Sequence, residues 1–590
     1  MHSISLFVEL LRTRPRMQLG AMALIQIVLW TLVPALFYAS PPGQLPLVLA
    51  IGHEFQGGTE FGPPLAFWLA EIAYLGAGIT GVYLLSQVCI VATFGAVFAL
   101  GRAMAGAPHA AIAVMLMAGI AVFSVPTPEF GPAILAAPLW ASMLTHYWLA
   151  TRKGRWVYWV ALGVEAGLLV LTTYAGLVLI GALVFYTLVT AHGRAQLESV
   201  GPWIAGVAMT VVLFPYLIWL DLSAGIAFLD VATIVHNLRT WGWLALALLL
   251  SHIGMLILIL LARGTFAASR DTVPAVMRVP LPQSARGFVY FFALAPIVAM
   301  GLFALFTRRP ENFMAAPLVV LSGLAVVVAA GERIKVDHQY LIGYAWVALL
   351  ALPPLLLAVA IVIQPWILAA DLTVGRPAGE MGQFFGESFA RRTGHPLAVV
   401  AGDPALAPLV ALAAPSRPSL YLDSAANDRP RVTREDIAEK GAVIVWPATD
   451  TQGRPPADIQ QQFPGLVTEV PRAFARQYQG RMPLMRIGWG MIRPSAQSAA
   501  PEAAPPRPIQ LEPQPQPVLR SPPEPQPLPP PQLRQPQIQP RRAEPRQPNP
   551  PPAEPEQTES QMPDPQIIAP EPARPRRPRA PPFQNMHRPQ

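Results

Sequence analysis

The residues of this chain that could do chemistry are a few acidic and basic side chains in short polar segments between long apolar runs. They are His53, Glu54, Glu60 and Glu71 in residues 39–78, Glu129 in residues 125–132, and Arg308 and Arg309 in residues 307–312. A carboxylate can take the proton from an attacking hydroxyl group, and cations can stabilise a phosphate that leaves. This set could therefore support group transfer from a lipid phosphate. The alternative is that these side chains are only hydrated at the level of the lipid headgroups.

The composition restricts the class of protein to which these residues belong. The chain has 590 residues, of which 53% are hydrophobic and 13% charged, with a mean hydropathy of +0.41. Soluble domains carry roughly a quarter charged residues, so a simple soluble enzyme is excluded. Cys89 is the only cysteine, which excludes a disulfide scaffold. The net charge of +8 comes mostly from short loops and a proline-rich tail, so we do not expect nucleic-acid binding.

Eleven apolar runs approach the length of about 20 residues that crosses a bilayer. They lie near residues 18–38, 79–101, 107–124, 133–150, 157–173, 175–191, 202–221, 243–262, 288–306, 313–330 and 341–363. Residues 63–78 are apolar but too short to span, and they predict a helix at the membrane surface. Glu165 lies in the middle of one run, where an ionisable group is expensive and indicates function, unless it is protonated and hydrogen-bonded to a neighbouring helix.

Loop charges predict the orientation of these runs. With a cytoplasmic N-terminus, the cytoplasmic segments hold most of the Lys and Arg of residues 1–365, whereas the opposite loops hold only Arg239, Arg308 and Arg309. Basic loops normally stay in the cytoplasm. The first apolar run, near residues 18–38, is longer than the apolar segment of a signal peptide. We therefore expect it to remain in the protein as a membrane anchor. An odd number of spans then places the C-terminal region outside the cytoplasm.

Three domains are predicted from composition: a membrane domain at 1–365, an external domain at 366–494 and a tail at 495–590. In the external domain, apolar runs at 397–402, 419–423 and 441–446 predict strands, and 403–414 and 433–440 predict helices. This alternation indicates a small α/β domain. About a third of the tail residues are Pro, which predicts an extended, disordered segment. It is either a spacer or a ligand for a partner in the cell envelope.

Three stretches resemble the bacterial glycosyltransferase family 39 group, which are membrane enzymes of the GT-C fold. They are PPGQLPLVLAIGHEFQGGTEFGPPLAFWL at 41–69, VPTPEFGPAILAAPLW at 125–140 and GVEAGLLVLTTY at 163–174. The external domain also has the family's appearance, and the resemblance extends over about residues 1–494. It implies a mainly α, polytopic bundle in the bacterial inner membrane, with the C-terminal domain in the periplasm. It further implies a polyprenyl-phosphate sugar as donor, and an envelope glycolipid or polysaccharide as acceptor.

Several polar positions of the family differ in this chain. The general base of the family, an Asp, corresponds to Gln44, which cannot act as a base. The Lys-His pair of the family corresponds to Phe61 and Gly62, and its Lys before Tyr corresponds to Thr173. Its Asn-His-Asn sequence falls at residues 131–133, which are Gly, Pro and Ala here. Four such losses together indicate altered chemistry or none.

The matching acids that remain are Glu54 and Glu129. If the protein is active, the resemblance makes Glu54 the first choice for the base and gives Glu129 a supporting role at the donor or acceptor. We predict that His53, Glu60, Arg308 and Arg309 help to bind the donor. No cofactor follows from the sequence, and the need for a divalent metal stays open.

Three functions remain. The first is transfer of a sugar from a polyprenyl-phosphate donor at the periplasmic face. The second is a non-catalytic protein of the same fold that binds a lipid-linked sugar or a sister transferase. The third is a transporter of a lipid-linked sugar, although we find no internal repeat of the kind that many transporters show.

Overall fold

The computed structural model describes residues 9–495, apart from residues 10–12, 59–60, 126–127, 223–233, 263–274, 279, 307–315, 336–338, 369–370, 422–431 and 449–451. All described residues belong to one compact unit. Of the predicted site, Glu60, Arg308 and Arg309 lie outside the described residues. The predicted tail also lies outside them, apart from its first residue.

Helices dominate residues 15–367. In chain order they are α1 (Pro15–Phe37), α2 (Leu45–Gly52), α3 (Leu65–Ala105), α4 (Ala107–Met117), α5 (Ala121–Ser124), α6 (Pro132–Lys153), α7 (Trp156–Thr172), α8 (Gly176–Val189), α9 (Ala191–Leu197), α10 (Gly201–Leu222), α11 (Ile234–Ser251), α12 (Ile253–Ala262), α13 (Gln283–Phe306), α14 (Ser322–Ala329) and α15 (Gln339–Ile367). A short antiparallel pair, β1 (Ala275–Met277) and β2 (Arg333–Lys335), joins two of the connections. The prediction of a mainly α fold is confirmed.

The described residues of each predicted span are mostly helical, but the lengths of the helices differ. Within the described part of the chain, six helices are long and apolar enough to cross a membrane, and a seventh results if α8 and α9, which meet at 100°, count as one. The predicted run at 107–124 is divided between α4 and α5, and the run at 313–330 becomes a 3₁₀ turn followed by α14. By the length and composition of its helices, the chain is a multi-pass membrane protein.

The predicted surface helix and the second predicted span form one bent element, α3. Its backbone leaves helical geometry at Ala77 (φ −147°) and Gly78 (φ +60°). A positive φ is easily adopted by glycine, so Gly78 permits the change of direction. The bend separates residues 65–76, which pack under the candidate site, from the long apolar part of the helix.

The second part of the described chain contains the predicted alternation of strands and helices. Its elements are α16 (Ala378–Thr393), β3 (Val399–Gly402), α17 (Ala407–Ala413), β4 (Ser419–Leu420), α18 (Arg434–Lys440), β5 (Ala442–Pro447), α19 (Ala457–Gln462), β6 (Val467–Phe474) and β7 (Met485–Ile492). The strand order is β4-β3-β5-β7-β6, with β3 parallel to β4 and β5, and β7 antiparallel to β5 and β6. The sequence analysis missed β6 and β7. The three-domain division stays a prediction.

Two apolar cores cover the faces of this sheet. One contains Phe385 and Phe389 from α16 with Val400 and Trp489, and the other contains Trp446 with residues of α18 and α19. Trp446 is fully buried, and its indole nitrogen donates to the carbonyl of Gly453 at 3.1 Å. The sheet is therefore a mixed layer between helices, which gives the loops at its edge fixed positions.

Glu165 contacts a neighbouring helix. Its two carboxylate oxygens each lie 2.9 Å from Nδ1 of His146 in α6. The ring of Tyr158 stacks on that of His146, with centroids 6.1 Å apart. The hydrogen bond to a neighbouring helix, one of the two alternatives for Glu165, is thus present, with an imidazole as the partner.

Candidate functional site

The first loop, defined here as residues 39–64, is packed onto three other parts of the chain. Leu45 and Leu49 of α2 belong to one buried cluster with Phe67 of α3, Phe130 and Leu412 of α17. Burial of apolar side chains stabilises such contacts by about 25 cal/mol per Å². The cluster brings the first loop, the segment of Glu129 and the α/β part together at one end of the helices.

Glu129 is engaged with the turn that opens the first loop. The backbone N–H of Gln44 donates to Oε1 of Glu129 at 2.9 Å. Gly43 precedes it with φ +52°, and a Cβ at this position would lie 1.8 Å from the same oxygen. A glycine is needed here both for the left-handed backbone and for the space that the carboxylate occupies. The predicted catalytic role of Glu129 is untested by these contacts, which show it holding the turn.

Replacing Gly43 by Ala is expected to lower the free energy of unfolding by about 2 kcal/mol. The new methyl group displaces the Glu129 carboxylate and breaks its bond to Gln44, and the left-handed backbone is strained. Chemical unfolding of the purified protein in lipid nanodiscs measures the change. Gly20→Ala is the control, because a Cβ at Gly20 meets nothing within 4 Å. Equal stability of the two variants contradicts the prediction.

Glu54 lies in a short turn, residues 53–58, that aromatic side chains hold in place. The side-chain amide of Gln56 donates to Oε2 of Glu54, and the indole nitrogen of Trp68 donates to the backbone carbonyl of Gln56 at 2.7 Å. The ring of Trp219 from α10 lies so close to Gly58 that a Cβ there would be 2.5 Å from it. These contacts fix the position of the turn against α3 and α10.

His53 begins the same turn and contacts a buried carboxylate. Its Nδ1 lies 3.1 Å from Oε1 of Glu71, while the guanidinium of Arg417 donates to Oε2 of Glu71 at 2.9 Å. The side chain of Glu71 is 1% exposed, that of Arg417 is 15% exposed and that of His53 is 41% exposed. Glu71 is therefore the buried centre of a three-residue network, and His53 is its solvent-facing end.

Arg417 enters this network from the α/β part of the chain. It lies between α17 and β4, has φ +48°, and its guanidinium also donates to the carbonyl of Leu49 at 3.3 Å and stacks over the ring of Tyr74 at 4.7 Å. The sequence analysis named Glu71 as a candidate acid but did not single out Arg417. No motif marks this arginine, since its partner is 346 residues away in the chain.

Aromatic residues form a wall beside the turn at 53–58. The hydroxyl groups of Tyr174 and Tyr216 lie 2.5 Å apart, and the ring of Tyr216 stacks on Trp219 with centroids 5.7 Å apart. Tyr174 follows Thr173, the position where the family resemblance places a Lys. Tyr216 is buried, so these rings support the turn at 53–58 by packing. The sequence analysis missed this wall.

The candidate groups are three carboxylates, Glu54, Glu71 and Glu129, and one imidazole, His53. His53 and Glu54 follow the end of α2 and Glu71 contacts His53, whereas Glu129 contacts Gln44 at the start of α2, roughly 12 Å away along the helix. Among the described residues, no group of three or more His, Cys, Asp or Glu side chains could together hold a metal ion. What the arrangement offers is a hydrogen-bonding and proton-accepting turn that packs against aromatic rings.

A family model matches residues 62–219 and is described as dolichyl-phosphate-mannose-protein mannosyltransferase. The match includes Glu71, Glu129 and Glu165 and covers about a quarter of the chain. It confirms the predicted resemblance to membrane glycosyltransferases over this segment. A search of curated proteins found no match to the chain.

Three solved structures are similar to the chain at low sequence identity. ArnT from Cupriavidus metallidurans bound to undecaprenyl phosphate aligns with a TM-score of 0.49 and 13% identity, over 80% of this chain and 97% of that chain. The oligosaccharyltransferase of Archaeoglobus fulgidus aligns in its apo form with a TM-score of 0.37 and 14% identity, over 68% of this chain and 64% of that one. Its complex with Zn and sulfate has a TM-score of 0.34 and 14% identity, over 79% and 72%.

Proposed function

We propose that this protein transfers a sugar from a polyprenyl-phosphate donor to a hydroxyl group of an envelope glycolipid or polysaccharide. The observation that carries the proposal is the packing of the first loop, with His53 and Glu54, onto helices inside the matched segment at 62–219. The description of that family names a sugar linked to a dolichyl phosphate, which is a polyisoprenoid lipid phosphate. A donor of this kind suits a site at the end of apolar helices.

The chemistry follows from the groups at the site. The acceptor hydroxyl oxygen attacks the anomeric carbon, the bond from that carbon to the phosphate oxygen breaks, and the phosphate leaves with the electron pair. The hydroxyl proton passes to a basic group of the turn at 53–58. The sequence analysis places Glu54 in this role, with Glu129 supporting the site. It assigns Arg308 and Arg309 to the departing phosphate and Glu60 to the donor.

The proposed location is the inner membrane of a bacterium, as the family resemblance implies. The basic loop residues predict the orientation. The N-terminus lies in the cytoplasm and the α/β domain at 366–494 lies in the periplasm. The site described above then faces the periplasm, where an envelope acceptor is found. We further propose that the tail at 495–590 acts as a spacer or as a ligand for an envelope partner.

The test is sugar transfer by the purified protein in lipid, with a panel of polyprenyl-phosphate sugars. We expect turnover by the wild type and a loss of about 100-fold or more in the double variant His53→Gln/Glu54→Gln, which removes both basic groups at the start of the turn. The control is the double variant Glu380→Gln/His395→Gln, in which both residues are exposed. A wild type without turnover on any donor sinks the proposal.

A second function, binding without catalysis, is favoured by one specific observation. Gln44 occupies the position of the expected base. The carboxylate of Glu129 accepts a hydrogen bond from the backbone N–H of Gln44, so it does not contact a basic side chain there. A protein of this kind would bind a lipid-linked sugar and present it to a sister transferase. Saturable donor binding, equal in wild type and double variant and without turnover of any donor, supports this alternative.

A further inference from the structure

Glu71 is a carboxylate that the proposed reaction does not yet use. It is almost completely buried, yet both of its oxygens face polar partners, His53 on one side and Arg417 on the other. A buried carboxylate is costly unless it is paired and hydrogen-bonded. The two partners come from the first loop and from the loop before β4, so that folding of both parts of the chain is needed to complete the network.

The contact with Glu71 determines which nitrogen of His53 carries hydrogen. An ionised carboxylate only accepts hydrogen bonds, so the Nδ1 that faces Oε1 at 3.1 Å is the protonated nitrogen. In the neutral ring, Nε2 then keeps its lone pair. The imidazole is 41% exposed, which leaves it accessible from solvent. A carboxylate that holds a histidine in one tautomer is the same device that orients the base in hydrolytic triads.

Arg417 forms an ion pair with Glu71. Its guanidinium donates to Oε2 at 2.9 Å, and its other contacts, with the Leu49 carbonyl and the Tyr74 ring, hold it in place. Because the arginine pairs with one carboxylate oxygen, the other oxygen orients the ring of His53. After proton transfer, the same carboxylate stabilises the imidazolium that forms.

The neighbouring candidate differs in its contacts. One carboxylate oxygen of Glu54 already accepts a hydrogen bond from Gln56 in the same turn. Gln56 thus holds one oxygen of Glu54 within its own turn, whereas the ring of His53 is oriented by Glu71, a carboxylate buried in the protein. An orienting group that is itself fixed by packing gives a base its most exact placement.

We infer that His53 takes the proton of the acceptor hydroxyl and that Glu71, balanced by Arg417, is its positioning residue. The inference rests on the proposed function and names the base within it. The O–H bond of the acceptor breaks as its oxygen bonds to the anomeric carbon, and the proton goes to Nε2 of His53. The phosphate leaves with the electron pair of the broken carbon–oxygen bond.

The experiment uses the full chain in lipid with a polyprenyl-phosphate sugar that the wild type turns over. We expect His53→Ala to lose about 100-fold or more in kcat with little change in the donor KM. Added imidazole should restore part of this turnover, because it can occupy the space of the missing ring. Glu71→Gln should lower kcat by about tenfold or more through loss of the fixed tautomer. Glu54→Gln is measured beside them, because the sequence predicts this residue as the base.

Controls separate chemistry from folding. His395→Ala removes an exposed histidine at the end of α16 and should leave kcat unchanged, with no effect of imidazole. Saturable donor binding by His53→Ala shows that this variant is folded. The same binding test is most important for Glu71→Gln, because that substitution alters a buried residue. Rescue by imidazole is the readout that a purely structural role of His53 would not produce.

Each outcome has one meaning. Loss in His53→Ala with imidazole rescue supports the inference. Turnover retained in His53→Ala, or lost without rescue, overturns it; if Glu54→Gln is then inactive, Glu54 is the base that the sequence predicts. A wild type that turns over no donor removes the proposed function itself and the inference with it, which distinguishes the two failures.

Discussion

Arg417→Ala is expected to lower the free energy of unfolding by about 3 kcal/mol, the range seen when one partner of a buried ion pair is removed. The substitution leaves the carboxylate of Glu71, which is 1% exposed, without its cation. It also removes the stacking of the guanidinium on Tyr74 and its bond to the Leu49 carbonyl. The first loop and the loop before β4 then lose their polar connection.

Chemical unfolding in lipid nanodiscs measures this effect, with Arg434→Ala as the control for an exposed arginine of the α/β part. The double variant Glu71→Leu/Arg417→Ala is expected to be more stable than Arg417→Ala alone, because it leaves no unpaired buried charge. If Arg417→Ala is as stable as the control, the pair contributes little and the predicted cost is wrong.

Gly52→Ala is expected to destabilise the protein by about 2 kcal/mol, as overpacking does in a tight core. Gly52 ends α2 where this helix crosses α3, and a Cβ there would lie 2.4 Å from the backbone carbonyl oxygen of Phe67 and 3.3 Å from Cβ of Glu71. Backbone atoms cannot move aside as a flexible side chain can. The end of α2 must therefore shift, and His53, the next residue, moves away from Glu71.

Two measurements check this prediction: chemical unfolding for stability, and sugar transfer for the site. We expect both to fall in Gly52→Ala and neither to fall in Gly95→Ala, a glycine of α3 at which a Cβ meets nothing within 4 Å. Alanine is the better helix former, so the control should be neutral or slightly stabilised. Wild-type stability of Gly52→Ala contradicts the close packing of α2 on α3.

Both predictions concern the same region because the three-residue network sits on the crossing of α2 and α3. Glu71 lies one helical turn after Phe67 on α3, so the carbonyl that contacts Gly52 and the carboxylate that contacts His53 are on one face. A change at Gly52 displaces the backbone that carries His53, and a change at Arg417 removes a partner of the carboxylate that His53 contacts. Their effects on turnover should not be additive, since they disturb one network.

The sequence alone determined the class of the molecule. Apolar runs near 20 residues predicted helices for a membrane, and the described residues of these runs are mostly helical. The alternation of runs at 397–446 predicted strands and helices of the α/β part. Hydropathy and periodicity are local properties, and they specify which face of an element is buried.

Only the tertiary structure decided which polar groups meet. Glu129 contacts Gln44, which is 85 residues away, and Glu71 contacts Arg417, which is 346 residues away. No periodicity encodes such pairs, because they depend on how helices cross and on where glycines let backbones approach. The strands β6 and β7 were missed for a related reason. β6 is mostly exposed, and β7 is mostly buried but contains Gly488 and Gly490, so neither shows a clear apolar pattern. The acids were visible in the sequence, but their partners follow from packing over long distances in the chain.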